Sequence, residues 1–295
     1  MSTSFRGVVY AIISTAGFGI TSFLAAVMVN LGADSNAVTL LQYVLPIFTF
    51  VLLMKVNGVT LSLKEVPWVA LFINSAFSAL AMLMLNASYN YLPVSTTICI
   101  HYLYPILAAL VGVLYFREKM SKAVASALII AFAGIALFID PSEGAGTGVG
   151  YILAFFSAVM WMLYVVTLEH TRLNGMESHI YNLISGILSI PVILVVIFMS
   201  GGFNFSGFNV WIWFLGILMA TADALGMILL KRSITLIGST MFSVFGPMEP
   251  IVSSVLGFVI LKDPVNFRSV MGCIMVLLAV VIAAVADYRK EKAET

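Results

Sequence analysis

Residues 104–118 read YPILAALVGVLYFRE, and residues 249–263 read EPIVSSVLGFVILKD, so two stretches of one design stand 145 residues apart. Each has a proline at its second position and a carboxylate thirteen residues later, Glu118 in the first and Asp263 in the second. The interval is close to half of the 295 residues, which indicates an internal duplication. In the second copy an acid, Glu249, takes the place of Tyr104.

A second pair of matching stretches supports the duplication. Residues 7–14 read GVVYAIIS and residues 150–157 read GYILAFFS, an offset of 143 residues that places Phe18 opposite Trp161. Two matched pairs at nearly one offset are hard to obtain by chance. The sequence therefore predicts two repeats, residues 1–143 and 144–295.

The composition indicates an integral membrane protein. Hydrophobic residues make up 62% of the chain, charged residues only 9%, and mean hydropathy is +1.11, which leaves too little charged surface for a soluble fold of this length. The net charge of +1 gives no basic footprint for nucleic acid. Cys99 and Cys273 both lie in apolar runs, so we expect neither a disulfide framework nor a metal site. Nothing in the sequence indicates a cofactor.

Apolar runs divided by charged residues, glycine and proline predict an all-α protein of ten transmembrane helices. About 20 residues are needed to cross the hydrocarbon of a bilayer. The expected spans are approximately 7–30, 36–54, 67–89, 95–116, 122–139, 149–169, 178–199, 209–230, 239–261 and 268–287.

The positions of the basic residues predict the orientation. With the N-terminus in the cytoplasm, twelve of the fourteen lysines and arginines lie inside, and only Lys262 and Arg268 lie outside. We therefore expect a multi-pass protein of a cytoplasmic membrane with both termini in the cytoplasm. Because each half has five spans, an odd number, the second half is inverted relative to the first.

The helix ends carry a family resemblance that covers nearly the whole chain. One helix opens with Ser95-Thr96-Thr97 and closes with Phe116-Arg117-Glu118-Lys119, and its counterpart runs from Ser239-Thr240 to Leu261-Lys262-Asp263. In these motifs the chain resembles the drug/metabolite transporter superfamily, in its ten-helix EamA-type branch. It departs at Gln42, where many relatives have arginine, and at Lys262-Asp263, which replaces a glycine–glutamate pair. The resemblance implies a secondary carrier for small organic solutes, frequently an exporter of amino acids or metabolites.

Pro105 and Pro250 fall near the middle of the fourth and ninth predicted spans. A proline inside a helix removes a backbone donor and crowds the carbonyl a turn earlier, so we expect both helices to kink. Inverted-repeat carriers bind substrate near the bilayer midplane, at the interface of the repeats. Tyr104 and Glu249 are therefore predicted to face one midplane site.

Two acids lie in otherwise apolar spans. An ionised group at the centre of a span costs about 2.5–3.5 kcal/mol, so Glu249 needs a cationic or amine-bearing substrate, a proton, or a hydrogen bond to a neighbouring helix. Asp223 in the eighth span has the same alternatives, with pairing to a cation of the protein itself as a further one. Both acids are candidates for proton coupling.

Aromatic residues surround the predicted site. His101 stands one turn before Tyr104, and Phe18, Trp161 and Tyr164 lie toward the middle of the first and sixth spans. An aromatic face near an acid suits an organic ammonium or an aromatic amino acid, although each of these residues could equally fill the core. Together with Glu249 and Tyr104 they are the predicted substrate-binding residues.

Glu118 and Asp263 end symmetry-related helices, so they are candidates for gates, with an interfacial charge cluster as the alternative. The sequence as a whole predicts a carrier rather than an enzyme. The expected carrier moves a small amine-containing or zwitterionic solute, such as an amino acid, by alternating access, and the family resemblance implies export. The alternatives are an intramembrane enzyme with His101, Glu249 and Asp223 as acid–base groups, and a channel or structural membrane protein. The partners expected are the solute and the lipid bilayer, and a homodimer is compatible with the sequence.

Overall fold

The structure of the protein, a computed structural model, describes residues 3–88, 90–92, 94–117, 119–137, 147–199, 201–261 and 267–294. All regular secondary structure in these ranges is helical, which confirms the predicted all-α fold. The helices are α1 (Thr3–Asn30), α2 (Ser35–Val56), α3 (Trp68–Ser88), α4 (Val94–His101), α5 (Tyr104–Leu114), α6 (Lys122–Ala136), α7 (Gly148–His170), α8 (Ser178–Met199), α9 (Val210–Phe245), α10 (Met248–Leu256), and α11 (Phe267–Glu294). A π-helical turn, Gly257–Leu261, continues α10.

Seven helical segments are long and apolar enough to cross a membrane. They are α1, α2, α3, the α4–α5 segment from Thr96 to Leu114, α7, α8 and α9. Three shorter apolar segments, Lys122–Ala136, Met248–Ile260 and Val270–Ala286, lie where the fifth, ninth and tenth spans were expected. The protein is therefore multi-pass, while the total of ten crossings stays a prediction.

Helix packing follows the symmetry that the duplication predicts. Helix α1 packs on α9 and α10, and α7, its counterpart, packs on α3, α4 and α5. Helix α2 packs on α8 and α9, while α8 packs on α2 and α3, and α6 packs on α11. Each of these pairs maps onto another, or onto itself, when the two halves are exchanged. The boundary between the halves near residue 143 remains a prediction.

Helix α1 lies between the two helices that carry the intramembrane acids. A Cβ atom at Gly17 would lie 3.1 Å from the carbonyl oxygen of Ala222 on α9. One at Gly19 would lie 2.7 Å from the carbonyl oxygen of Glu249 on α10. Small residues allow such close approach of helices in membranes. Because positions 17 and 19 point to opposite sides of a helix, α9 and α10 flank α1 on two sides.

Helix α9 joins the eighth and ninth predicted spans without a loop between them. The helix continues past Lys231 and turns at Gly238, whose φ of 79° and ψ of 163° suit only glycine. The carboxylate of Glu169 on α7 accepts a hydrogen bond of 2.7 Å from the backbone N–H of Ser239 and so caps the helix that starts there.

Two spans are broken at equivalent places near their middles. Helix α4 ends at His101 and α5 begins at Tyr104, and in the second half α9 ends at Phe245 and α10 begins at Met248. The intervening residues Leu103, Gly246 and Pro247 keep helical φ and ψ angles, so the breaks are interruptions of helical hydrogen bonding at the places where kinks were predicted. Pro105 and Pro250 each lie in the first turn of the following helix, where proline is tolerated. Pro247 adds a second proline to the break in the second half.

Gly238→Val tests whether the kink in α9 is required. Valine is strained at this φ, and its Cβ would lie 2.7 Å from the Glu169 carboxylate, so we expect a cost of about 1–3 kcal/mol. The melting temperature of the purified protein in detergent measures the effect. The control is Gly148→Val, because a Cβ at Gly148 has open space around it. Equal melting temperatures for the two variants would contradict the assigned role.

Candidate functional site

A cavity with about 130 Å³ of space for the centre of a water-sized molecule lies at the two helix breaks. The breaks touch there, since the hydroxyl of Tyr104 lies directly against Gly246. Helices of both halves contribute side chains to the wall. The lining residues that were predicted from the sequence are Glu249, Asp223, Tyr104, His101, Trp161 and Phe18.

The Glu249 side chain lies on the α10 side of the cavity and has hydrogen-bond donors from two other helices. Ser22 Oγ on α1 donates to Glu249 Oε1 at 2.8 Å. The hydroxyl of Tyr102, in the break between α4 and α5, is a second donor to the same carboxylate. These are hydroxyl donors without charge, so they orient the carboxylate but do not neutralise it. One of the three alternatives for Glu249, a hydrogen bond to a neighbouring helix, is therefore present, and it leaves the charge of an ionised Glu249 unbalanced.

An aromatic wall stands beside Glu249. The ring centroids of His101 and Tyr104 are 5.7 Å apart, those of His101 and Trp161 are 6.2 Å apart, and those of Tyr104 and Trp161 are 6.3 Å apart. His101 Nδ1 is hydrogen-bonded to Ser157 Oγ at 3.0 Å, which fixes the imidazole against α7. Faces and edges of three rings thus line one part of the cavity at close range.

Asp223 lies on the other flank of α1, on the side of α9. Its carboxylate interacts electrostatically with Tyr43, Tyr164 and Glu249. Within the part of the chain that the structure describes, no hydrogen bond or ion pair is formed by the Asp223 carboxylate. The expectation that Asp223 could pair with a cation of the protein is therefore not met among these residues.

Tyr164 does not line the cavity, contrary to the sequence-based expectation. It is fully buried behind Trp161, with 5.0 Å between the ring centroids. Helical geometry explains the difference, because a residue three positions beyond Trp161 shares its side of α7 but lies one turn deeper. There its backbone carbonyl accepts a hydrogen bond of 2.8 Å from Asn74 Nδ2 on α3. Tyr164 therefore supports the wall from outside.

Several lining residues were not among those predicted. Asn182, Ser185 and Ser189 face the cavity from α8, and Gln42 and Tyr43 face it from α2. The signal for the first three was their spacing of i, i+3 and i+7, which places them on one face of a helix. Small polar residues also serve helix packing in membranes, as the bond of 2.9 Å between Ser75 Oγ and Ser185 Oγ shows. The spacing alone did not separate these two uses.

A buried lysine lies near the face of the helix bundle at which α1 begins, called the N-terminal face below. Lys231 near this face is 1% exposed, and its ammonium group donates to the carbonyl oxygens of Asn174 at 3.1 Å and Met176 at 2.6 Å. The ammonium also lies 5.6 Å from the ring centroid of Tyr181. Lys231, expected at a helix edge, is thus a buried link between α9 and the α7–α8 loop.

The gate candidates Glu118 and Asp263 lie outside the described residues, so their role stays a prediction. In the described ranges, Lys231 and Glu169 make buried polar contacts near the N-terminal face. Both bind backbone atoms of another helix or loop. Ammonium and carboxylate contacts of this kind cannot be predicted from the charged helix ends alone.

The electrostatic character of the cavity is acidic. Its lining holds the carboxylates of Asp223 and Glu249 and, among the described residues, no lysine or arginine. A cleft of one sign of charge with low-dielectric walls concentrates ions of the opposite sign. Of the described residues, no three histidine, cysteine, aspartate or glutamate side chains come together as a metal site would require. The cavity suits a cation with an apolar or aromatic body.

Known proteins resemble this chain in sequence and in structure. The EamA-like transporter family matches twice, over residues 5–139 and 148–285. The chain is 24% identical over 188 residues to the uncharacterized transporter YyaM of Bacillus subtilis, an alignment that covers 61% of each protein. It is 24% identical over 220 residues to the aromatic amino acid exporter YddG of Salmonella typhimurium, covering 65% of this chain and 67% of that protein.

A solved crystal structure shows the same fold. It superposes with a TM-score of 0.74 and 15% sequence identity, and the match covers 94% of this chain and 98% of the other. This likeness concerns the fold alone. The chain spans about three fifths of the length of YyaM, the first of these relatives.

Proposed function

The chain belongs to the EamA-like transporter family, and we propose that it is a secondary carrier for a small amine-bearing or zwitterionic organic solute. The observation that carries the proposal is the position of Glu249. Its carboxylate lies in a central cavity beside an aromatic wall, and no lysine or arginine of the described residues stands in that cavity. A carrier, unlike an enzyme, needs one site between two symmetry-related halves.

An ammonium group fits the surroundings of Glu249 in two ways. The carboxylate accepts a charge-assisted hydrogen bond, which is stronger than a neutral one. The rings of Tyr104 and Trp161 attract a cation through their faces, an interaction worth about 2 kcal/mol or more when desolvated. Phe18, across the same cavity, is available to an apolar or aromatic body of the solute.

Alternating access is supported by the unequal contacts at the two faces. On the N-terminal side of the breaks α5 packs on α9, and Lys231 ties α9 to the α7–α8 loop. The symmetry-related pair α4 and α10 makes no comparable helix contact within the described residues. In our proposal the site is open to the face opposite the N-terminal face. When the α5–α9 contact opens and the α4–α10 contact forms, the site becomes open to the N-terminal face instead.

The relatives suggest the direction and the solute class. YddG is named as an aromatic amino acid exporter, so we propose export, with an amine or amino acid as cargo. Glu249 and Asp223 are the proposed groups for proton coupling, since a carboxylate in a cavity can release a proton when a cationic solute binds.

Glu249→Gln is expected to weaken saturable counterflow in proteoliposomes. The amide removes the negative charge and keeps the shape, so an ammonium group loses a charge-assisted hydrogen bond, and affinity falls about tenfold or more. Labelled phenylalanine and 2-phenylethylamine serve as probes, because they share a ring and an amine and differ in the carboxylate.

The control for this test is Glu65→Gln, which removes an exposed acid outside the cavity. It should transport like the wild type. Unaltered counterflow by Glu249→Gln, with the same dependence on a pH gradient, would exclude Glu249 from the mechanism. Catalytic turnover of a probe without any transmembrane flux would overturn the carrier proposal itself.

Lys231→Met is expected to open the N-terminal face. Without the ammonium group the carbonyls of Asn174 and Met176 lose their donor, at a cost of about 1–3 kcal/mol. The readout is thiol labelling of Asn182→Cys, a buried lining position near this face, after Cys99 and Cys273 are replaced by alanine. Labelling should be faster with Lys231→Met than without it. Equal rates would show that Lys231 does not close the cavity.

The orientation in a cytoplasmic membrane is tested with a green fluorescent protein fused after Thr295. This reporter folds when it is on the cytoplasmic side, so strong fluorescence is expected in a bacterial host. A fusion of alkaline phosphatase at the same place should be inactive. The opposite pair of signals would contradict the predicted topology.

A further inference from the structure

The cavity contains a second acid that a single ammonium group does not use. Asp223 lines the same cavity as Glu249 and has no hydrogen bond or ion pair within the described residues. The Glu249 carboxylate is near enough to Asp223 to act on it electrostatically. In surroundings of low dielectric, two ionised carboxylates are stabilised by a bound proton or by a nearby cation. The described lining residues supply no lysine or arginine.

The two acids reach the cavity from two different helices that both pack on α1. Gly17 lies against Ala222 and Gly226 of α9, whereas Gly19 lies against the backbone carbonyl of Glu249 on α10. Phe18, between them in sequence, lines the cavity. The acid-bearing helices therefore stand on either side of Phe18.

A hydrogen bond holds the Glu249 carboxylate on the α10 side of Phe18. Ser22 Oγ, on the α10 side of α1, donates to this carboxylate at 2.8 Å. Thr21 Oγ1, on the α9 side, instead approaches the carbonyl of Met219 at 3.5 Å. The Ser22 hydroxyl thus positions Glu249 alone, and Asp223 remains available to a second ammonium group of the same solute.

The two acidic positions have different surroundings. Glu249 stands beside Tyr104, Trp161 and His101, a wall for an ammonium group and the methylenes next to it. Asp223 lies near the phenol groups of Tyr43 and Tyr164. A solute carboxylate at the second position would meet Asp223 and be repelled, which disfavours an amino acid in that orientation.

We propose that the cavity is a two-acid site for an organic dication, in which Glu249 binds one amino group of an aliphatic diamine and Asp223 binds the other. This inference rests on the proposed function and names its substrate class. Asp223 is then a specificity-determining residue that distinguishes diamines from monoamines.

Three probes of one chain length test the proposal by isothermal titration calorimetry on the purified full-length protein. They are 1,5-diaminopentane, pentylamine, and lysine, which is the diamine with a carboxylate added. A second charge-assisted hydrogen bond should make the diamine bind about tenfold to a hundredfold more tightly than pentylamine. Lysine should bind more weakly than the diamine because of its carboxylate.

Asp223→Asn should bring the ratio of the two affinities, diamine over monoamine, close to one. Glu65→Gln, at an exposed acid, should keep the wild-type ratio. A ratio that Asp223→Asn leaves intact would overturn the inference. If this variant cannot be purified folded, the wild-type ratio decides, because equal binding of diamine and pentylamine also overturns it.

The outcomes separate this inference from the proposed function. If amines bind without preference for the diamine, only the two-acid site is refuted and the amine carrier stands. If none of the three probes binds, while phenylalanine or 2-phenylethylamine shows counterflow that depends on Glu249, the two-acid site is again refuted alone. If no amine binds or moves, both proposals fail.

Discussion

The structure depends on the requirement that backbone polar groups inside a bilayer find partners within the protein. Lipid offers no hydrogen bonds, so a helix can be interrupted at membrane depth only where the freed groups face protein or a polar cavity. The interruptions after His101 and after Phe245 meet this condition, because they touch each other through Tyr104 and Gly246. The cavity follows from these breaks, and the side chains next to them become its wall.

The duplication explains both why the two halves share one arrangement of helices and why their side chains at equivalent positions differ. Exchanging the halves maps the helix pairs onto one another, so both copies build the same scaffold. The side chains at equivalent places have diverged, with a phenol at Tyr104 and a carboxylate at Glu249. The scaffold is therefore symmetric, while the carboxylate of Glu249, opposite the phenol of Tyr104, makes the central cavity acidic.

Contacts near the N-terminal face show where the two halves differ. Lys231 and Glu169 both bind backbone atoms, carbonyls of the α7–α8 loop in one case and the N–H of Ser239 in the other. Burying an ammonium group is costly unless carbonyls or charges surround it, so Lys231 holds the α7–α8 loop against α9. Gly238 lets the chain turn there, and Glu169 caps the new helix.

The sequence by itself determined that the protein is a helical, multi-pass membrane protein with an internal duplication, and the depth of the site stays a prediction. Hydropathy can be summed along the chain, and the number of residues between the two repeats can be counted, so neither property requires a structure. Pro105, Pro250 and Glu249 could be placed near mid-membrane by counting residues from the helix ends. Six of the predicted residues line one cavity. Counting residues could predict this because equivalent positions in two inverted halves lie at the same depth.

Only the tertiary structure decided which side of each helix faces the cavity and which contacts close it. Tyr164 is an example. Its spacing from Trp161 suggested that its side chain lines the cavity, but the side chain lies behind Trp161. Lys231 is a second example. A charged residue near a predicted helix end is expected at the membrane interface, but the α7–α8 loop covers Lys231 and buries it. Rotation of a helix about its axis is set by packing against its neighbours, as Gly17 and Gly19 set it for α1. That information resides in pairs of residues far apart in the chain.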